Sequence, residues 1–103
     1  MQQLMPEPLW DEGISSFLYG EYEKKQEPLK NVDLQQFAKE QAVRVGDILE
    51  TLFLMAIYGE WQYTDAEGNE KLLDEDMLNT LYAKGRIRAE DLDDFDGLWS
   101  PRG

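Results

Sequence analysis

The sequence predicts a small, single, mainly α domain carrying one β-hairpin. Three observations lead there. Apolar residues recur at helical spacing through most of the chain. Proline occurs only at positions 6, 8, 28 and 101, so nothing breaks the chain between residues 29 and 100. One segment, Glu60-Trp-Gln-Tyr-Thr64, alternates aromatic and polar residues and is followed by a Gly- and Asn-bearing turn, as a hairpin requires.

Five helices are expected, in three stretches of one domain: residues 1–31, 32–86 and 87–103. In the first, Pro6 and Pro8 hold the lead-in extended. Leu9, Trp10, Ile14, Phe17 and Leu18 then recur at helical spacing, with Gly20 as the stop. The polar segment 21–31 contains Pro28 and reads as a connector.

In the second stretch, Asp33 is the expected N-cap, with Gln36 completing a capping-box spacing and Val32 and Phe37 spaced as a hydrophobic staple. That helix is expected to reach about Gln41, with a tight turn over 42–46. A second helix should run from about Asp47 to Tyr58 and stop at Gly59. The hairpin follows, with strands at 60–64 and 70–73. Asp74, Glu75 and Asp76 favour the start of another helix by opposing its dipole. Its apolar face is Met77, Leu78, Leu81 and Tyr82, and Lys84-Gly85 ends it. In the third stretch, a short acidic helix over 89–95 precedes a tail with Leu98 and Trp99.

The order helix, tight turn, helix, hairpin over residues 32–73 resembles a helix-turn-helix domain with a wing. The residues that carry it are the cap, Leu34, Phe37-Ala38, the turn near 43–46, and Ile48 and Leu52 on the second helix. The resemblance implies a helix-turn-helix-like centre with a wing-like hairpin, and such folds often bind DNA through the second helix. Charge opposes that use here. DNA affinity comes largely from Lys and Arg replacing phosphate counterions. Ten Lys and Arg face 22 Asp and Glu, a net charge of −12. The second helix opens with Asp47 and Glu50 and holds no basic residue. Direct nucleic-acid binding is therefore not expected.

Composition narrows the function classes further. The chain has 103 residues and neither His nor Cys, which removes disulfides, thiolate chemistry and His-dependent catalysis. Ser15 and Ser16 lack a recognisable activating base, and the glycines are isolated, with no phosphate-binding loop. Neither catalysis nor a cofactor is expected. Hydrophobic residues make up 42%, too many for a disordered acidic tail. No apolar run approaches the roughly 18 residues of a membrane span, and the N-terminus does not read as a secretory signal. The expected setting is the cytoplasm. The run EDLDDFD at 90–96 holds five carboxylates, but its spacing is not that of a Ca²⁺ loop. It reads as a solvated acidic face, with Arg86 and Arg88 beside it.

The second helix carries the functional expectation. At about 100° per residue, Ile48, Leu49, Leu52, Phe53, Met55 and Ala56 share a core-facing side. The other side bears Asp47, Glu50 and Thr51, then Leu54, Ile57 and Tyr58. A helix apolar all round at one end is central in the core or part of an interface. The expectation is a small acidic non-catalytic adaptor or regulatory protein. It would bind a protein partner with a basic surface through Leu54, Tyr58, Trp61 and Trp99, framed by Asp47 and Glu50. The alternative is an acidic nucleic-acid mimic that fills the basic cleft of a DNA- or RNA-binding protein. A homodimer closed by the same patch is a third arrangement.

Overall fold

The computed structural model describes residues 10–83, 85 and 87–102. Within them run α1 (Glu12–Lys25), α2 (Asn31–Gln41), α3 (Val45–Ile57), β1 (Trp61–Thr64), β2 (Glu70–Lys71), α4 (Glu75–Ala83), a 3-10 helix (Ala89–Asp94) and β3 (Leu98–Pro101). The protein is mainly helical, with one small antiparallel sheet. The lead-in at Pro6 and Pro8, with Leu9, the helix end at Lys84 and the expected pairing of Arg86 lie outside the described residues.

α3 is the axis of the molecule, because it is the most apolar helix. Ile48, Leu49, Leu52, Phe53 and Met55 are all fully buried. The helix packs against α1, α2, α4, β1 and the 3-10 helix. It begins two residues earlier than the periodicity indicates, at Val45, so that Gly46 lies inside its first turn. There a side chain is impossible without movement: a Cβ at Gly46 would stand 2.0 Å from the Ile87 carbonyl oxygen. The chain after α4 crosses at this point.

Three local expectations are corrected. α1 does not stop at Gly20 but continues to Lys25, ending where Gln26 turns left-handed (φ 59°). One glycine is tolerated in a helix that gains buried contacts from Ile14 and Leu18. Asp33 is not the N-cap of α2; Lys30 holds that position. Asp33 instead reaches back from the first turn, its Oδ2 accepting the Lys30 backbone N–H at 2.9 Å. Val32 is 64% exposed, so it does not staple onto Phe37.

The largest correction concerns the tail. Residues 98–101 form a strand, and the sheet has the order β2-β1-β3. β3 pairs antiparallel with β1, Tyr63 opposite Trp99 and Trp61 opposite Pro101. Its other edge exchanges two backbone hydrogen bonds with Leu29, at 2.7 and 2.9 Å. β1 thus becomes the central strand rather than half of an isolated hairpin. Its buried face carries Trp61 and Tyr63. Tyr63, Trp99, Phe95 and Phe53 form an aromatic layer, with centroids 4.7 Å apart for Tyr63–Trp99 and 5.3 Å for Phe53–Phe95. The close approach of the tail to the hairpin again demands glycine. A Cβ at Gly97 would stand 1.8 Å from the Thr64 carbonyl oxygen.

Candidate docking groove

The groove of interest is built on the side of α3 that faces away from the sheet. Two neighbours frame it. Asp11 caps α1, its Oδ1 accepting the Ile14 N–H at 3.0 Å, and this fixes Trp10 just ahead of the helix. Asp74 caps α4 in the same way, accepting the Met77 N–H at 2.9 Å, and this sets Leu78 and Tyr82 one turn apart on the side facing α3. Between them lies a cavity of about 570 Å³. Its apolar part is Trp10, Leu54 and Leu78, and its polar part is Asp11, Asp47, Glu50, Thr51 and Tyr82. No cation lines it. Thr51 is turned inward, its hydroxyl donating to the Asp47 carbonyl at 2.8 Å.

A second cavity of about 380 Å³ adjoins the first and shares Asp47, Glu50 and Tyr82 with it. Arg44 lines this one. Its Nε and Nη2 both donate to the Asp47 carboxylate, at 3.2–3.4 Å. The Tyr82 hydroxyl donates to Glu50 Oε2 across the boundary between the two cavities. Burial pushes the Tyr82 phenol up to about 12, with the hydrogen bond to Glu50 and its negative charge adding to the effect. Among the described residues no ion pair reaches Glu50 or Asp11.

The structure gathers Asp47, Glu50 and Leu54 in this groove. Tyr58 lies one turn beyond Leu54. It is 47% exposed, and its ring stands 6.2 Å from that of Trp10. Trp61 and Trp99 do not join them. Both are fully buried beside the sheet, so the expected docking patch loses these two members to the core. The cause is β3: once the tail pairs with β1, Trp99 is fully enclosed, and Trp61 is covered by Tyr19 and Tyr22 of α1. In their place stand Trp10, Asp11, Leu78 and Tyr82, which the sequence did not mark as site residues. Tyr82 was assigned to the apolar face of its helix, yet it is 42% exposed. Its i,i+4 relation to Leu78 is the one local signal that could have marked it.

The acidic run at 90–96 is not uniformly solvated. Asp91 is buried, and its carboxylate accepts the Arg88 backbone N–H at 2.8 Å. Among the described residues, no group of three or more acidic side chains is placed to hold a metal ion. No described helix is long and apolar enough to cross a membrane. The chain matches no protein-family model, no curated protein and no solved structure.

Proposed function

We propose that this chain is a small, non-catalytic adaptor or regulatory protein that docks another protein in the groove between α1, α3 and α4. The observation that carries the reading is the outer side of α3. There Leu54 stands beside Asp47 and Glu50 in an open cavity floored by apolar side chains, with Tyr58 exposed at its end. Apolar and aromatic anchors within a polar rim are the usual make-up of a binding hot spot. The negative rim favours a basic partner surface and repels acidic ones. In the same reading, α2, α3 and the hairpin are the helix-turn-helix-like unit with its wing. Its second helix serves protein rather than DNA, because Asp47 and Glu50 front it.

The test is affinity capture from native host lysate, with Tyr58→Lys run beside the unaltered chain and washes at low and high salt. A partner retained at high salt by the unaltered chain and lost by Tyr58→Lys, whose melting temperature stays unchanged, supports the reading. A partner held equally by both places docking elsewhere.

One observation favours the mimic as second reading. Asp96, Asp65 and Glu67, from two separate acidic runs, lie close enough together to act on the Tyr63 phenol, which burial already raises. A captured nucleic-acid-binding protein that washes off at high salt would favour this alternative.

A further inference from the structure

We propose that the groove's occupant is an arginine carried by a partner segment with an aliphatic neighbour, and that Tyr82 is a latch which this arginine displaces from Glu50. The inference rests on the docking reading above and names its occupant.

Four features lead to it. First, the larger cavity pairs an apolar floor (Trp10, Leu54, Leu78) with the carboxylates of Asp11 and Glu50, and among the described residues no cation forms an ion pair with either one. A complementary segment is therefore both aliphatic and cationic. Second, the adjoining cavity already shows what such carboxylates accept. The Arg44 guanidinium lies against Asp47 and reaches both its oxygens. That pair uses Asp47, and among the described residues Glu50 has no cationic partner, only the Tyr82 hydroxyl.

Third, the donor now on Glu50 is a neutral phenol. The phenol makes one charge-assisted hydrogen bond to this carboxylate, whereas a guanidinium can make two in parallel and also brings the compensating positive charge. A planar fork also suits a carboxylate better than the point charge of lysine. Exchange of one donor for the other is thus favourable. Fourth, Tyr82 is placed to move. It is in the last turn of α4 and 42% exposed, so part of its ring already faces solvent. Because both cavities share Glu50 and Tyr82, releasing that hydrogen bond joins them into one longer groove.

The probes are an acetylated, amidated pentapeptide, Leu-Ala-Arg-Ala-Leu, and its twin with citrulline in place of arginine. Citrulline keeps the shape and removes the charge. Each is titrated into the full chain and followed by the backbone amide signals of α3 and α4 and the indole signal of Trp10. The arginine peptide should bind with a dissociation constant about tenfold below that of its twin. Glu50→Gln should erase the difference, while its spectrum stays dispersed like that of the unaltered chain. Tyr82→Phe, which removes the competing donor, should tighten the arginine peptide about threefold.

Equal binding of the two peptides, or no saturable shift with the arginine peptide, overturns the inference. Weaker binding by Tyr82→Phe also overturns it, because the phenol would then be a ligand and not a latch. The docking reading fails separately, if the captured partner ignores Tyr58→Lys. A partner that needs Tyr58 while the two peptides bind alike would leave docking intact and remove only the arginine.

Discussion

Gly46 and Gly97 each lie against a backbone carbonyl, with no room for a methyl group. Neither has a positive φ, so the constraint is one of space and not of backbone conformation. Gly46→Ala and Gly97→Ala should each cost about 2–3 kcal/mol, as forced overpacking does. Chemical denaturation of the two variants checks this; a loss below about 0.5 kcal/mol, typical of an unconstrained surface site, would show the backbone yields freely. Tyr82 offers a second residue-scale measurement. Its folded-state value of about 12 lies above the ordinary 10.0. The neutral phenol's contribution to stability is therefore complete below about pH 10 and is lost as the pH rises through about 12. Tyr19 and Tyr63 are raised as well, so phenolate absorbance should show several tyrosines ionising late, and Glu50→Gln should move the Tyr82 share of that late absorbance to lower pH. Asp33 has the opposite sign. Burial raises its carboxyl, but the Lys25 ammonium at 2.8 Å and the Lys30 N–H outweigh this and hold it below the usual range. Its contribution is present above the ordinary carboxylate range and is lost as the pH falls through the lowered value. Asp33→Ala should cost about 1 kcal/mol at neutral pH, the usual worth of a helix-start carboxylate, and less in acid.

Among the elements, α3, β1 and α4 were legible because their signals are local. Ile48, Leu49, Leu52 and Phe53 repeat at helical spacing, Trp61 and Tyr63 alternate, and Asp74 announces a start. β3 was not legible. Leu98-Trp-Ser-Pro101 is too short to show alternation and ends in proline, and what makes it a strand is a partner more than thirty residues away. Proline is tolerated there because β3 is an edge strand that meets β1 on one side and only Leu29 on the other. The same long-range pairing decided the fate of the two tryptophans. Without β3 they could read as surface anchors; with it, Trp61 and Trp99 are core. It follows that β3 is a structural requirement. Trp99→Ala should lower stability by about 3–5 kcal/mol, the usual cost of emptying a large aromatic site. A Trp99→Ala chain that melts like the unaltered one would contradict the sheet topology.

At the scale of the whole molecule, α3 divides the labour. Its inner side, with the sheet and the aromatic layer around Tyr63, supplies the buried apolar area. Its outer side remains open and carries the groove. Three of the six partner-binding residues expected from sequence, Asp47, Glu50 and Leu54, line this groove, and Tyr58 adjoins it. They were legible because they sit on one helix at known angles. Trp10 and Tyr82 were not, because their position depends on how α1 and α4 dock against α3. The net charge of −12 surrounds this apolar floor with a negative field, which speeds encounter with basic surfaces and weakens with salt. Binding through the groove should therefore lose association rate as salt rises, with its dissociation rate nearly constant. Surface-immobilised kinetics at several ionic strengths would reveal this.

The central claim is that the outer end of α3 is where a protein partner docks. The most direct measurement places a photo-crosslinking phenylalanine analogue at Tyr58 and, as a control, at exposed Gln36 on α2, and irradiates each in native host lysate. The account predicts one discrete heterologous product from position 58, absent from position 36 and lost when Glu50→Lys is added. Cross-links to a second copy of this chain alone, or equal products from both positions, would contradict it.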